Sequence, residues 1–283
     1  MPTFATPTPI DVALYMPVSE VTITASDRTD TVVTVTPSNP DKAVDRRGAE
    51  ETKVAFDGQR LTINGPKPRL SWIGPTESVD VAIAVPTGSR FTAEVSVGSV
   101  RGRGRLGATR IKALTGAVEL HETGDLWVRA GHGSATVDAA DGSAEITADH
   151  GQIRVGSIAD DAVLKASHGS IQVGEIGGDL EAKLSYGDLD ITTARGSVTA
   201  KTAYGSIDIG EVSSGSIGVE TAFGELSVGV RPGVSAWLDL ASKEGRVRNE
   251  LDGDRAPEAS DSTVAVRART QFGHITVKRS TSR

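Results

Sequence analysis

The sequence predicts an all-β protein: a parallel β-solenoid (β-helix) of about ten coils with an 18-residue repeat, behind a β-rich N-terminal cap. Three observations carry this. Dipeptides ending in glycine return at a fixed interval, apolar residues keep fixed places around them, and the composition is rich in glycine and poor in aromatic rings.

The interval comes first. His132-Gly133, His150-Gly151, His168-Gly169, Tyr186-Gly187 and Tyr204-Gly205 are spaced by 18 residues, and Phe223-Gly224 follows after 19. With the residue before each glycine as position zero, aliphatic or small residues fall at −6, −4, −2, +3, +5 and +8. Around Tyr186 they are Leu180, Ala182, Leu184, Leu189, Ile191 and Ala194; around Tyr204 they are Val198, Ala200, Thr202, Ile207, Ile209 and Val212. Val97-Gly98 and Thr115-Gly116 upstream, and Glu244-Gly245 and Phe272-Gly273 downstream, bring the coils to ten. Steps of two are strand alternation, one face in and one out. The glycine interrupts the alternation where the chain turns a corner that demands positive φ. One coil cannot bury its inner face alone, whereas stacked coils share a continuous aliphatic column. At about 4.8 Å per coil, ten coils extend on the order of 50 Å. Inward steps of 2, 3, 4, 2, 2 and 5 depart from the strict hexads of hexapeptide-repeat acyltransferases, which argues against that family.

Upstream of the repeat, Val12–Met16, Val21–Thr24, Thr31–Val35, Lys53–Phe56, Leu61–Ile63 and Val79–Val85 alternate or are β-branched, and read as strands. Asp41–Glu50, after Pro40, reads as one or two helical turns. DVALYMPVS at 11–19 is echoed by DVAIAVPTGS at 80–89, which reads as one strand-and-proline entry used twice. Solenoid ends left open template aggregation. Residues 1–87 are therefore expected to form the N-terminal cap with irregular first coils. Residues 88–283 form the solenoid, closed by a final coil beyond a polar loop near Leu251–Thr263.

Composition narrows the function classes. Glycine is 32 of 283 residues, about 11% against a usual share of roughly 7%. The aromatics number 11 (5 Phe, 3 Trp, 3 Tyr), too few for a core built on rings. The absence of cysteine removes disulfides, thiolate metal sites and cysteine nucleophiles together. Thirty basic against 37 acidic residues, net −7, give no global pull toward nucleic acid or an anionic membrane. No run of 18 apolar residues exists to form a membrane-spanning helix. The opening residues MPTFATPTPIDV carry neither a basic n-region nor an apolar h-region, and a cytoplasmic location is expected.

Two columns on the stacked coils are candidate sites. Position zero holds His132, His150, His168, Tyr186, Tyr204 and Phe223, which stacking places about 4.8 Å apart as a structural corner ladder. Zinc ligands converge tetrahedrally, and a straight ladder does not converge, so no metal is expected there. The outward −3 column holds Lys112, Arg129, Thr147, Lys165, Lys183 and Lys201. Its five cations form a basic stripe that discourages lateral strand pairing, and that offers a docking track for an acidic protein, a polyanion or lipid headgroups. Nucleic acid is not expected, because only Trp127 interleaves with the cations. Arg101, Arg103, Arg105 and Arg110 form a second basic cluster in VRGRGRLGATR. Asp188, Asp190, Asp208 and Glu225 lie outward on the other strand. Asp190 and Asp208 satisfy a glycosidase spacing as any stacked pair would, without an aromatic sugar platform. The match GRGRLG at 102–107 has no helix behind it, and the GGxGxDxUx calcium repeat is absent. No catalytic residue and no cofactor are expected.

The opening PTPIDVALYMPVSEVTITASDRTDTVVTV, the tandem x-x-G-[SD]-[IL]-x-[IV] coils, and the closing SAWLDLASKEGRVRNEL and VAVRARTQFGHITVKR resemble a bacterial β-strand-repeat family of unknown function. That family carries an adhesin label and is similar to the toastrack domains of envelope-stress systems. The resemblance implies a β-solenoid without established catalysis, in a scaffolding or envelope-linked role, and supplies no site residues. The chain departs from the family's Gly-Asp corner: only Asp188 keeps it, with Ser134, Gln152, Ser170, Ser206 and Glu225 elsewhere. The expectation is therefore a non-catalytic scaffold or partner-binding protein, not an enzyme, linked to the bacterial envelope-stress response. The alternative is a structural protein that self-associates end to end, as bactofilin-like rods do, with a surface adhesin as the weaker reading. Polar, covered ends favour the first, and apolar, bare ends the second.

Overall fold

The computed structural model describes residues 2–66, 77–251 and 263–280 and divides into two units, residues 1–141 and 142–283. In each, the strand before a glycine corner joins a leading sheet and the strand after it joins a trailing sheet, and successive coils pair in parallel.

The first unit comprises β1 (Thr3–Ala5), β2 (Asp11–Ser26), β3 (Asp30–Pro37), α1 (Ala43–Glu51), β4 (Lys53–Phe56), β5 (Arg60–Asn64), β6 (Val79–Pro86), β7 (Arg90–Val97), β8 (Val100–Arg105), β9 (Thr109–Thr115), β10 (Val118–Thr123), β11 (Leu126–His132) and β12 (Ala135–Ala140). β2 serves both sheets. Asp11–Tyr15 lies between β5 and β7 in the leading sheet, while Val21–Thr24 lies between β6 and β8 in the trailing one. Parallel stacking thus already includes strands upstream of residue 88. The echo between 11–19 and 80–89 is not a structural equivalence. Asp80 lies opposite Glu20 and Pro86 opposite Ser26, whereas Pro17 marks the passage of β2 between sheets. The same alternation suits either sheet, which is why the local pattern did not separate them.

Antiparallel strands finish this unit: β4 on β5, β3 on β6, and β1 on β3. Beneath them Val33, Leu61, Ile63, Leu14 and Ile23 are fully buried. α1 occupies the expected helical stretch. Its buried Asp45 accepts the backbone N–H groups of Asn39 (3.2 Å) and Ser78 (3.1 Å), which ties the helix to the start of β6.

The second unit comprises β13 (Ala144–His150), β14 (Ile153–Ile158), β15 (Ala162–His168), β16 (Ile171–Ile176), β17 (Leu180–Tyr186), β18 (Leu189–Ala194), β19 (Val198–Tyr204), β20 (Ile207–Val212), β21 (Gly215–Phe223), β22 (Leu226–Val230), β23 (Ser235–Glu244), β24 (Val247–Glu250), β25 (Thr263–Phe272) and β26 (Ile275–Arg279). Two strands to a coil, β7–β12 make three coils and β13–β26 make seven, the expected ten. Position-zero residues align in register, as do the inward columns, for example Leu164 with Ala182 and Ile191 with Ile209.

Spatial order departs from chain order at the end of the stack. β25 lies between β21 and β23, with Val266 opposite both Ile217 and Leu238, and β26 lies between β22 and β24. The outermost coil is therefore β23–β24, and the last coil in sequence is the penultimate one in space. Both segments carry the same repeat template, so neither pattern encodes its rank. Of the polar loop read between them, residues 252–262 lie outside the described residues.

The corners confirm the glycine argument. Gly187, Gly205 and Gly224 have φ of 140°, 148° and 158°, and a Cβ at Gly205 would land on the Gly187 carbonyl oxygen. Polar side chains tie successive corners in the middle of the unit. The Asp188 carboxylate accepts the Ser206 N–H (2.8 Å) and the Ser206 hydroxyl accepts the Glu225 N–H (3.1 Å). Inside, Thr221 and Thr270 donate to the carbonyls of Gly205 (2.9 Å) and Gly224 (3.2 Å). Among the described residues, no buried side-chain nitrogen or oxygen lacks a partner.

Candidate functional site

In the second unit the position-zero residues form the stacked column that the repeat predicts. His150 on His168, His168 on Tyr186, Tyr186 on Tyr204, and Tyr204 on Phe223 have ring centroids 4.9, 5.1, 5.0 and 4.9 Å apart, with planes within 10°. Phe272 extends it, 4.9 Å beyond Phe223. The Phe272-Gly273 dipeptide signalled this membership, but only the changed coil order makes Phe272 a neighbour of Phe223. In the first unit the same column holds Val97, Thr115 and His132, so no ring ladder forms there.

The geometry limits what the column can do. Each interior ring covers its neighbours' faces, which leaves ring edges for contact and removes a flat platform for a sugar. Those edges are open: Tyr186, Tyr204, Phe223 and Phe272 are 50%, 47%, 42% and 44% exposed. Among the described residues no three His, Cys, Asp or Glu side chains gather as metal ligands.

Beside the rings runs the −3 column, where Thr147, Lys165, Lys183, Lys201, Glu220 and Arg269 pair in register. Lys183 contacts Glu181 at 2.5 Å and Lys201 contacts Glu220 at 2.8 Å. Lys183, and more weakly Lys165, hold the Glu181 carboxyl below its ordinary range, while Glu220 raises Lys201. Arg269 reaches Asp239 at 2.6 Å and lowers that carboxyl. The stripe is thus a row of exposed ion pairs with Lys165 at one end, rather than bare positive charge. An open cavity of about 600 Å³ borders this column, lined by Lys201, Ala203, Ala222, Arg269 and, from β23, Ala241 and Lys243.

In the first unit Lys112 and Arg129 are register neighbours in the same column, with Glu94 before them. Lys112 borders an open cavity of about 930 Å³ with Tyr15, Met16, Glu50 and Leu114. The arginine cluster lies on β8 and β9. Arg101 pairs with Glu20 and Glu119 (both 3.2 Å), Arg105 with Asp141 (2.8 Å), and Arg110 lies 3.7 Å over the Trp127 ring.

On the trailing sheet of the second unit Asp190 lies directly opposite Asp208. Burial, then the charges of Asp208 and Asp188, push the Asp190 carboxyl above its ordinary value. Asp208 sits on the same outward face of the same ladder. No helix among the described residues is long and apolar enough to cross a membrane.

Comparison with known proteins adds the following. No curated protein matches the chain. A solved "putative adhesin" from Bacteroides fragilis NCTC 9343 aligns over 98% of this chain and 95% of its own, at 12% identity and a TM-score of 0.41. A protein from Clostridium sporogenes ATCC 15579, described in the same terms as a cell adhesion protein, aligns over 98% of both chains at 13% identity and a TM-score of 0.21. The sequence model of the Toastrack DUF4097 family matches residues 11–248, from the first strand that serves both sheets to the outermost coil. The chain belongs to the Toastrack DUF4097 family.

Proposed function

We propose that the protein is a non-catalytic β-solenoid scaffold that holds a protein partner against the leading-sheet face of its second unit. One observation carries this: two parallel columns share that face, ring edges from His168 to Phe272 and the ammonium groups of Lys165, Lys183 and Lys201. An exposed apolar strip bordered by charge is the composition of an interaction surface. A partner segment along the stack rests apolar side chains on the ring edges and turns carboxylates toward Lys165. Polar groups support a binding rather than a catalytic role, since Asp188, Ser206, Thr221 and Thr270 serve to lock one coil to the next. The reading places the protein in the bacterial cytoplasm, within the envelope-stress response that toastrack-like domains suggest.

The test is cross-linked capture of partners in the native host with two variants, Lys165→Glu/Lys183→Glu/Lys201→Glu and Tyr186→Ser/Tyr204→Ser. Exposed ion pairs contribute about 1 kcal/mol or less each, and circular dichroism and thermal melts of both variants are measured beside the capture so that lost binding is separated from lost folding. Loss of the same protein from both captures supports the proposal, and unaltered capture overturns it. Capture lost only with the lysine variant, together with wild-type binding to anionic vesicles, replaces the protein partner with a charged surface.

A further inference from the structure

The end of the second unit offers a surface independent of the ring column. β23 is hydrogen-bonded to β25 along one edge, and its opposite edge has no strand partner among the described residues; β24 stands in the same relation to β26. Among the described residues nothing covers the apolar interior there. One coil deeper, Val266, Ala268, Ile275 and Val277 are fully buried, whereas Leu238 and Leu240 of β23 are only half-buried and Val247 of β24 is 45% exposed. Trp237, on the outward face of β23, is 59% exposed. β23 is ten residues long and contains no proline, and its charges, Asp239, Lys243 and Glu244, leave the stretch from Ser235 to Leu238 free to pair.

We infer that this coil docks a second copy of the same chain, edge to edge about a two-fold axis, as a closed dimer. The occupant must present two strand edges at once, one for each sheet, with an apolar layer between them. An identical coil does so by symmetry, and an isologous contact of this kind closes after two copies. Side-chain parity then selects the register. Antiparallel partners share a face, so inward residues must oppose inward residues. Pairing centred on Asp239 sets that carboxylate against its copy, and pairing centred on Ala241 sets Leu238 against Glu244. Pairing centred on Leu240 sets Leu240 on its counterpart, Leu238 against Ser242, and Trp237 beside Lys243, where a cation–π contact forms. The Leu240-centred register is the one adopted.

The experiment is sedimentation velocity of the full chain from low to high micromolar concentration, combined with cysteine trapping, for which the cysteine-free sequence gives a clean background. Wild type is expected to pass from monomer to dimer and stop there. Leu240→Cys is expected to form a disulfide-linked dimer under mild oxidation, since opposed antiparallel residues lie within disulfide reach; Ser235→Cys, far from its own copy, is not. Trp237→Ser with Lys243→Glu, both on the exposed face, should weaken dimerisation about tenfold and leave the melting temperature of the dilute protein unchanged. A monomer at every concentration overturns the proposal. So does mass that grows without limit, which marks a head-to-tail contact, and so does trapping through Ser235→Cys as readily as through Leu240→Cys.

Discussion

The backbone at Gly205 shows why single residues matter in a repeat this regular. Its φ of 148° and the Gly187 carbonyl oxygen beside it leave no room for a Cβ. Gly205→Ala should therefore lower stability by about 3 kcal/mol, through strain and a displaced corner. A urea titration against wild type measures it, and a change under half that size would show that the corner can relax. Gly233, with φ of 83° and open space around it, is the control: alanine there meets conformational strain without the clash. Asp190 gives the pH-dependent case. Its carboxyl is raised in the folded chain by burial first and then by Asp208 and Asp188. Folding thus favours its protonated form. Stability falls as pH rises from the ordinary carboxylate range through the raised value, and at neutral pH the ionised side chain carries the full penalty. Asp190→Asn should stabilise the protein by about 0.5 kcal/mol at neutral pH, the size of a like-charge cross-strand pair. That is about 1–2 °C in melting temperature. The gain should vanish in acid below the ordinary carboxylate range, and an equal gain at both pH values would assign it to packing instead.

At the scale of the element, the hydroxyl column inside the coils is the informative feature. Thr221 donates to Gly205 across one coil step at 2.9 Å, so Thr221→Val keeps the shape and removes the bond. A loss of about 1 kcal/mol is expected in chemical denaturation, against no loss if the carbonyl finds another donor. Much of this architecture was legible beforehand. The steps of two around each glycine fix strand, corner and inward face from local sterics, and they correctly placed Leu184, Ile191 and the positive-φ glycines. Three features were not legible, for one shared reason: they concern which element lies beside which. β2 feeds both sheets, the echo at 80–89 falls in a different register, and β25 intercalates before β23. Alternation encodes a residue's face and says nothing of its neighbour. The candidate columns were legible as columns, since they follow from the repeat. The ion pairs that temper the lysines were not, because the repeat fixes a residue's column and not its side-chain partner: Glu220 at −3 from Phe223 and Glu181 beside Lys183 follow from the spacing, and their contacts do not.

At the scale of the whole molecule, stability should behave as a sum over coils and their interfaces, since each coil pairs only with its immediate neighbours. Removing residues 180–197, one full period, brings Tyr204 onto His168 and leaves every inward column continuous. The shortened chain should fold with the same β-type circular dichroism and a modestly lower melting temperature; an unfolded or aggregated product would show that the coils are not interchangeable. The inverted order at the end of the stack has a different consequence, for the time course of synthesis. The chain leaves the ribosome N-terminal end first, and segments fold as they emerge. Coils up to β22 can add in the order of their appearance, but β23 and β24 emerge before the coil they pair with exists. They must wait until Thr263–Arg279, the last described strands of the chain, arrive and slide between them and β21–β22. The β25–β26 segment is thus a keystone. A nascent chain cut short before it loses two coils instead of one, and a ribosome that stalls between β24 and β25 holds a growing stack with its newest edge unfinished.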